Sequence, residues 1–208
     1  MATQIILIRH GETAWSLTGQ HTGRTDLPLT ENGERRASRI RELLHGIRFD
    51  LVISSPLVRA RRTCEIAGFG AVARLEPDLQ EWDYGDFEGR TTADICTKRP
   101  AWNVFEDGCP GGESVEQVCK RADRVLAGLS WTSGRAALFS HGQFLRVLAM
   151  RWTGIPVKEG ERLSLDTASM SILGFAQHNN GTPAITLWNA GSDTVRGLSQ
   201  DPQPQNAV

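Results

Sequence analysis

The chain predicts an α/β fold in three layers, α/β/α, with helices on both faces of a mostly parallel central sheet. Three observations point there. The runs 4–8, 51–53 and 136–139 are apolar and too short for helices, so each reads as a buried strand. Each gives way to a junction rich in Gly, Ser or Pro and then to a stretch of helical periodicity. Strands and helices that alternate in this way build a parallel sheet whose crossovers cover both faces.

The elements follow in order. The first strand ends at Arg9-His10-Gly11-Glu12, where Gly11 permits a tight turn. A Gly/Thr-rich loop runs from Gly19 to Pro28. A helix is predicted over 31–45, with Thr30 as N-cap and Ala37, Ile40, Leu43, Leu44 and Ile47 on one face. Strand 51–53 leads to Ser55, expected to cap a helix over 57–67 with Pro56 in its first turn, and then to a strand near 72–75. From Pro77 to Gly89 the chain is irregular and aromatic, with Trp82, Tyr84 and Phe87. A short helix near 91–98 precedes a turn-rich stretch to Gly112. Ser114-Val115-Glu116-Gln117 reads as a capping box for a helix with Val115, Val118, Ala122, Val125 and Leu126 inward. Strand 136–139, a helix over 143–153 and strands near 169–175 and 184–188 complete the core. Residues 1–196 are expected to form one domain, the segment 77–113 a small cap over the carboxyl edge of the sheet, and 197–208 a disordered polar tail.

Composition narrows the function. A chain of 208 residues can bury one large core. A net charge of −1 excludes a protein held to nucleic acid by backbone electrostatics. Cys64, Cys96, Cys109 and Cys119 form no C-x-x-C pair and no ligand spacing with histidine, so neither a metal nor a cofactor is expected. No basic-then-apolar leader opens the chain, and no run reaches the about 18 apolar residues of a membrane span. The thiols are expected to be free in a reducing cytoplasm.

The charged residues at the strand ends carry the chemistry. Arg9 and His10 emerge at the carboxyl end of the first strand, Arg59 lies one helical turn beyond the second, and Ser140-His141-Gly142 follows the third. Ligands of open α/β sheets bind at that edge. Guanidinium groups clamp phosphate oxygens, and an imidazole nitrogen can attack phosphorus. Arg61 and Arg62 read as a solvated helix face.

The full series of motifs is longer. It runs Leu7-Ile8-Arg9-His10-Gly11-Glu12-Thr13, Thr22-Gly23-Arg24-Thr25-Asp26-Leu27-Pro28-Leu29-Thr30, Ser54-Ser55-Pro56-Leu57 with Arg59, Leu79-Gln80-Glu81, Glu88-Gly89, Gly112-Glu113-Ser114 and Ser140-His141-Gly142. In this order, over roughly residues 4–190, the chain resembles the histidine phosphatase superfamily, also called phosphoglycerate-mutase-like proteins. The resemblance implies that His10 is a nucleophile acting through Nε2 and that Arg9, Arg59 and a charged His141 surround the phosphoryl oxygens. It implies that Glu81 is the proton donor, its carboxyl kept protonated by aromatic neighbours; the residues alone leave Asp83, Asp86 and Glu88 as rivals. It places Ser16, Thr22, Gly23, Arg24 and Gly142 around the substrate, although Arg24 reads equally well as a solvated loop residue. Glu88-Gly89 reads as a turn feature. His21, His45 and His178 read as structural, and Trp102, Trp131, Trp152 and Trp188 as core.

Two departures separate the chain from cofactor-dependent mutases, which usually carry Asn at the position of Ser16 and a longer basic insertion between Gly89 and Gly112. Here that stretch sets Lys98 and Arg99 against Glu106 and Asp107. The chain is more similar to a branch of broad-range sugar phosphatases. The expectation is therefore a metal-independent phosphomonoesterase for small phosphorylated metabolites, with phosphoglycerate mutase or a non-catalytic phosphoryl-binding module as alternatives. A phosphorylated small molecule is the expected partner, with no nucleic acid and no membrane; oligomeric state stays open, a homodimer included.

Overall fold

The computed structural model of the chain describes residues 4–129, 134–176 and 181–191. Its elements are β1 (Gln4–Arg9), α1 (Ala14–Thr18), α2 (Glu31–Leu43), β2 (Leu51–Ser54), α3 (Val58–Ile66), β3 (Arg74–Leu75), α4 (Thr92–Cys96), α5 (Val104–Asp107), α6 (Val115–Leu129), β4 (Arg135–Ser140), α7 (Gly142–Thr153), β5 (Met170–Phe175) and β6 (Pro183–Ala190). Trp131, His178 and the tail from 197 lie outside the described residues.

The strands form one sheet in the order β3-β2-β4-β1-β5-β6. Pairing is parallel from β3 through β2 and β4 to β1, and β5 alone is reversed against its neighbours. β4 comes late in the chain yet sits between β2 and β1, so that Ala136 pairs with both Leu51 and Ile5. The chain therefore leaves β1 toward one side of the sheet and leaves β4 toward the other. Their carboxyl ends form a topological switch point, the place where such sheets open a ligand crevice.

Alternation along the strands sorts the core into two faces. Ile5, Leu7, Ala136 and Leu138 pack with Val118, Ala122, Phe144 and Leu148 of α6 and α7. Ile6, Ile8, Ala137 and Phe139 pack with Ile40, Leu44, Cys64 and Ala67 from α2, α3 and the residues that end them. The predicted three layers are present. Trp102 is buried as expected, while Trp152 and Trp188 are half-buried against the same core.

Helix starts follow their caps. The Thr30 hydroxyl accepts from the Gly33 amide and donates to the Glu12 carboxylate, joining α2 to the loop after β1. Ser114 and Gln117 exchange the reciprocal bonds of a capping box at α6. Two expectations need correction. Leu43 is exposed, because Leu44 occupies the buried position one turn after Ile40. α3 starts at Val58, within a residue of the predicted 57, but its N-cap is Leu57 rather than Ser55: Asp26, from the loop before α2, accepts the Val58 amide at 2.7 Å, while the Ser55 hydroxyl accepts the Leu57 amide and faces His141.

The segment after Pro77 is tied to the sheet edge by two residues. Ser140, the last of β4, donates its hydroxyl to the Leu79 carbonyl at 2.6 Å. Arg121 of α6 is buried, pairs with Glu113 and donates to the carbonyls of Asp78, Gln80 and Glu81. A buried arginine on that helix face was not foreseen; its planar fork of five donors lets it hold several carbonyls at once.

Candidate active site

His10 is placed by the sheet itself. Its amide donates to the Ser140 carbonyl of β4, and its carbonyl accepts from Ala168. The next amide, of Gly11, donates to Thr63 on α3 at 2.9 Å. A Cβ at Gly11 would lie 2.6 Å from the Gly33 carbonyl oxygen, so close approach of α2 is what demands glycine here. The His10 ring then bends back on its own loop, with Nδ1 2.7 Å from the Gly11 carbonyl. A carbonyl only accepts, so the proton sits on Nδ1 and Nε2 keeps its lone pair. Burial, then Arg59 and Arg9, push the pKa of His10 well below the usual imidazole value. The ring is a neutral base.

Arg59 and His141 form a buried pair beneath it. Arg59 donates Nε–H to His141 Nδ1 at 3.1 Å, Nη1 to the Thr25 carbonyl and Nη2 to the carbonyls of Thr22 and Gly23. Since Nδ1 accepts, the His141 proton sits on Nε2, 2.8 Å from the Ser55 hydroxyl. A charged His141 is the expectation beside a bound phosphate; with Nδ1 accepting from Arg59, the ring here is neutral. Burial and the adjacent Arg59 hold its pKa well below the ordinary value. The His10 and His141 rings lie 5.2 Å apart between centroids.

Glu81 closes the opposite side. Its Oε1 accepts from the amides of Trp82 and Phe144, and its Oε2 from Gln143. The carboxyl group thus caps the first turn of α7, whose N–H groups lack partners within the helix. Oε2 has the fewer partners and is the oxygen better placed to exchange a proton. The expected aromatic surround is partial: Trp82 turns its ring inward to Phe105 and donates to the Glu113 carbonyl, while Tyr84 shares the cavity with Glu81.

These groups border a cavity of about 220 Å³ lined by Arg9, His10, Glu81, Tyr84, Gln143 and Arg146 among others. Arg9 reaches it past Gly142, where a Cβ would sit 3.2 Å from the guanidinium; its Nη1 donates to the Leu165 carbonyl. Among the described residues, Nε of Arg9 and Nε of Arg146 are the buried side-chain polar atoms with no hydrogen-bond partner. Arg9 and Arg146 line the cavity together with His10, and two guanidinium groups around one small cavity suit an anionic ligand. No three His, Cys, Asp or Glu side chains gather as metal ligands among the described residues.

A model of the histidine phosphatase superfamily (branch 1) matches residues 5–191. The chain belongs to this family. It is similar to an acid phosphatase of Mycobacterium tuberculosis, with 42% identity over 97% of this chain and 95% of that protein. It is also similar to a sedoheptulose 1,7-bisphosphatase of Saccharomyces cerevisiae, with 30% identity over 90% of this chain and 93% of that one. A solved structure of an open-reading-frame product from M. tuberculosis superposes with a TM-score of 0.84 at 39% identity, covering 91% of this chain and 98% of the other.

Within this superfamily member, Arg9, His10, Glu81, Ser16, Thr22 and Gly142 border the cavity, and Arg59 and His141 lie directly behind it. Ser16 spends its hydroxyl on the Thr13 carbonyl and amide in the cap of α1. Gly23 does not line the cavity, and Arg24 takes the solvated-loop alternative of its two readings. The Gly23 amide donates to Glu88, and the exposed Arg24 side chain turns to Asp83. Glu88 also accepts the Thr25 amide, so it acts as a clamp on loop 22–25, opposite Arg59, which holds the loop's carbonyls. His21, read as structural, stacks on Tyr84 at 4.6 Å and also lines the cavity. Arg146, which belongs to none of the sequence motifs, also lines the cavity. It stands one turn beyond Gly142 on α7, the same relation to a strand end that drew attention to Arg59.

Proposed function

We propose that this chain is a phosphomonoesterase for small phosphorylated metabolites, sugar phosphates foremost, working through a phosphohistidine on His10. The observation that carries the reading is the His10–Gly11 hydrogen bond, which leaves an unprotonated Nε2 on a residue that lines the same cavity as Arg9 and Arg146. The phosphoryl group would lodge there. Its dianion gives Arg59 Nε–H a better acceptor than His141 Nδ1 and favours a proton on that nitrogen, so both groups turn from each other to the phosphoryl oxygens. Nε2 attacks phosphorus in line, the P–O ester bond breaks, and Glu81 delivers its proton to the departing alkoxide. The carboxylate so formed takes a proton from water as that water attacks phosphorus. The N–P bond breaks, and phosphate and neutral His10 are regenerated. Charge spreading over the equatorial oxygens meets fixed cations throughout.

The phosphatase reading is supported by similarity to an acid phosphatase, and the sugar-phosphate class by similarity to a sedoheptulose 1,7-bisphosphatase. A cytoplasmic location is supported by four free thiols. Rapid acid-free quenching of the enzyme with radiolabelled sugar phosphate is expected to trap an alkali-stable phosphoenzyme in the native protein and none in His10→Ala. Isomerisation of 3-phosphoglycerate in the presence of bisphosphoglycerate, without phosphate release, would instead establish a mutase.

A further inference from the structure

A second cavity, of about 410 Å³, adjoins the first. Both are bordered by His21, Gln143 and Arg146, which form a sill between them. Its size suits the body of a small ligand, for which pockets run about 300–1,000 Å³, whereas the inner cavity suits a phosphoryl group and its ester oxygen.

The chemistry changes across the sill. At the sill, Arg146 donates Nη1 to Gln143 at 3.0 Å while its Nε stays orphaned. His21 is held by ring contacts with Tyr84 and Trp102, and burial lowers its pKa to about 4, so it faces the ligand uncharged. Beyond the sill the polar groups are Asn103, Glu106 and Glu161; the Asn103 amide donates to the Glu161 carboxylate. Among the described residues lining this outer cavity, Arg146 is the one cation, set against two carboxylates.

We propose that the outer cavity is the subsite of the leaving alcohol and selects an uncharged, polyhydroxylated group that carries no second phosphate. The inference rests on the phosphatase reading above. Carboxylate and amide oxygens accept from sugar hydroxyls, and the Asn103 and Gln143 side chains also have donors to offer. A second phosphate in the same space would face Glu106 and Glu161 at short range. Both side chains are exposed, so solvent and salt screen that repulsion. The resulting discrimination is moderate and sensitive to ionic strength.

The test compares kcat/KM for fructose 6-phosphate and fructose 1,6-bisphosphate, with an aryl phosphate as a third substrate, in the native enzyme and in the Glu106→Gln/Glu161→Gln double variant. The native enzyme is expected to prefer the monophosphate. The double variant is expected to raise the bisphosphate-to-monophosphate ratio about fivefold at low salt, through KM, with the gain shrinking as salt is added. Should the double variant fail to fold, Glu106→Gln alone, at an exposed position on the short α5, is expected to show roughly half of that shift on a logarithmic scale. An unchanged ratio in enzyme that still cleaves the aryl ester would overturn this inference and leave the phosphatase reading standing. A native enzyme that cleaves none of the three would overturn both.

Discussion

Two hydrogen bonds decide what the imidazoles at this site can do. The Gly11 carbonyl fixes the tautomer of His10, and Arg59 fixes that of His141. Neither partner is visible from residue types, because one is a backbone oxygen and the other depends on how a buried guanidinium divides its donors. The motif order did indicate which side chains converge. It could not indicate that Arg59 and His141 bind each other, nor that Arg146 supplies a further cation at the cavity. Arg146 was legible in principle, since helical spacing puts it on the face of Gly142. Glu81 provides the sharpest test at this scale. With Oε2 as the exchanging oxygen, Glu81→Gln removes the acid while its amide oxygen still accepts from the α7 amides. Alkyl phosphates, which need a proton on the leaving oxygen, are expected to lose about 100-fold or more in kcat. Aryl phosphates with good leaving groups should fall far less. Steady-state rates on a matched ester pair check this, and equal losses would remove Glu81 from the proton-donor role.

At the scale of elements, α6 carries two arginines with different tasks. Arg121 is buried, pairs with Glu113 at 2.8 Å and lies over the Phe144 ring with its guanidinium carbon 4.4 Å from the centroid. It fastens the carbonyls of Asp78, Gln80 and Glu81. Arg124 pairs with Asp78 at 2.7 Å but is largely exposed. Removing one partner of a buried pair leaves an uncompensated charge and costs about 3–5 kcal/mol; an exposed pair is worth about 0–1 kcal/mol. Urea unfolding of Arg121→Ala and Arg124→Ala should therefore separate by more than about 2 kcal/mol. Thr30→Ala belongs to the same scale. It removes the α2 cap and the bond to Glu12, and is expected to cost about 1–2 kcal/mol by the same measurement. The strands and most helices were legible because their burial patterns are periodic and their caps local. The start of α3 was legible to within a residue, but the group that accepts its first amide was not, since Asp26 comes from a separate loop. Arg121 was missed for a related reason: its partners lie on a segment with no periodicity of its own.

The whole molecule stores three histidines in uncharged form at one edge of its sheet, and this gives its stability a definite pH dependence. Burial is the first cause of the lowered pKa in His10, His21 and His141, with nearby arginines adding to it for His10 and His141. In the unfolded chain each would titrate near about 6.5. Below that value the unfolded state takes up protons that the folded state refuses, so stability rises with pH and is fully present only above about 6.5. Each histidine contributes a slope of about 1.4 kcal/mol per pH unit between its folded and unfolded pKa; for His21 that window closes at about 4. The surface carboxyls of Asp94 and Glu116, lowered by hydrogen bonds to Thr91 and Lys120, add to the loss only at still lower pH. Denaturation midpoints measured from about pH 7.5 to 5 in a phosphate-free buffer are thus expected to fall steadily below about 6.5. His21→Gln should reduce that slope by about one histidine's share. Inorganic phosphate should flatten it further, because an anion at the cavity favours the protonated form of His141 and so restores proton uptake to the folded state. A native protein whose midpoint stays level across this range would show that the edge histidines titrate in the folded state as they do in the unfolded chain, and the account of them as held neutral by burial would fall.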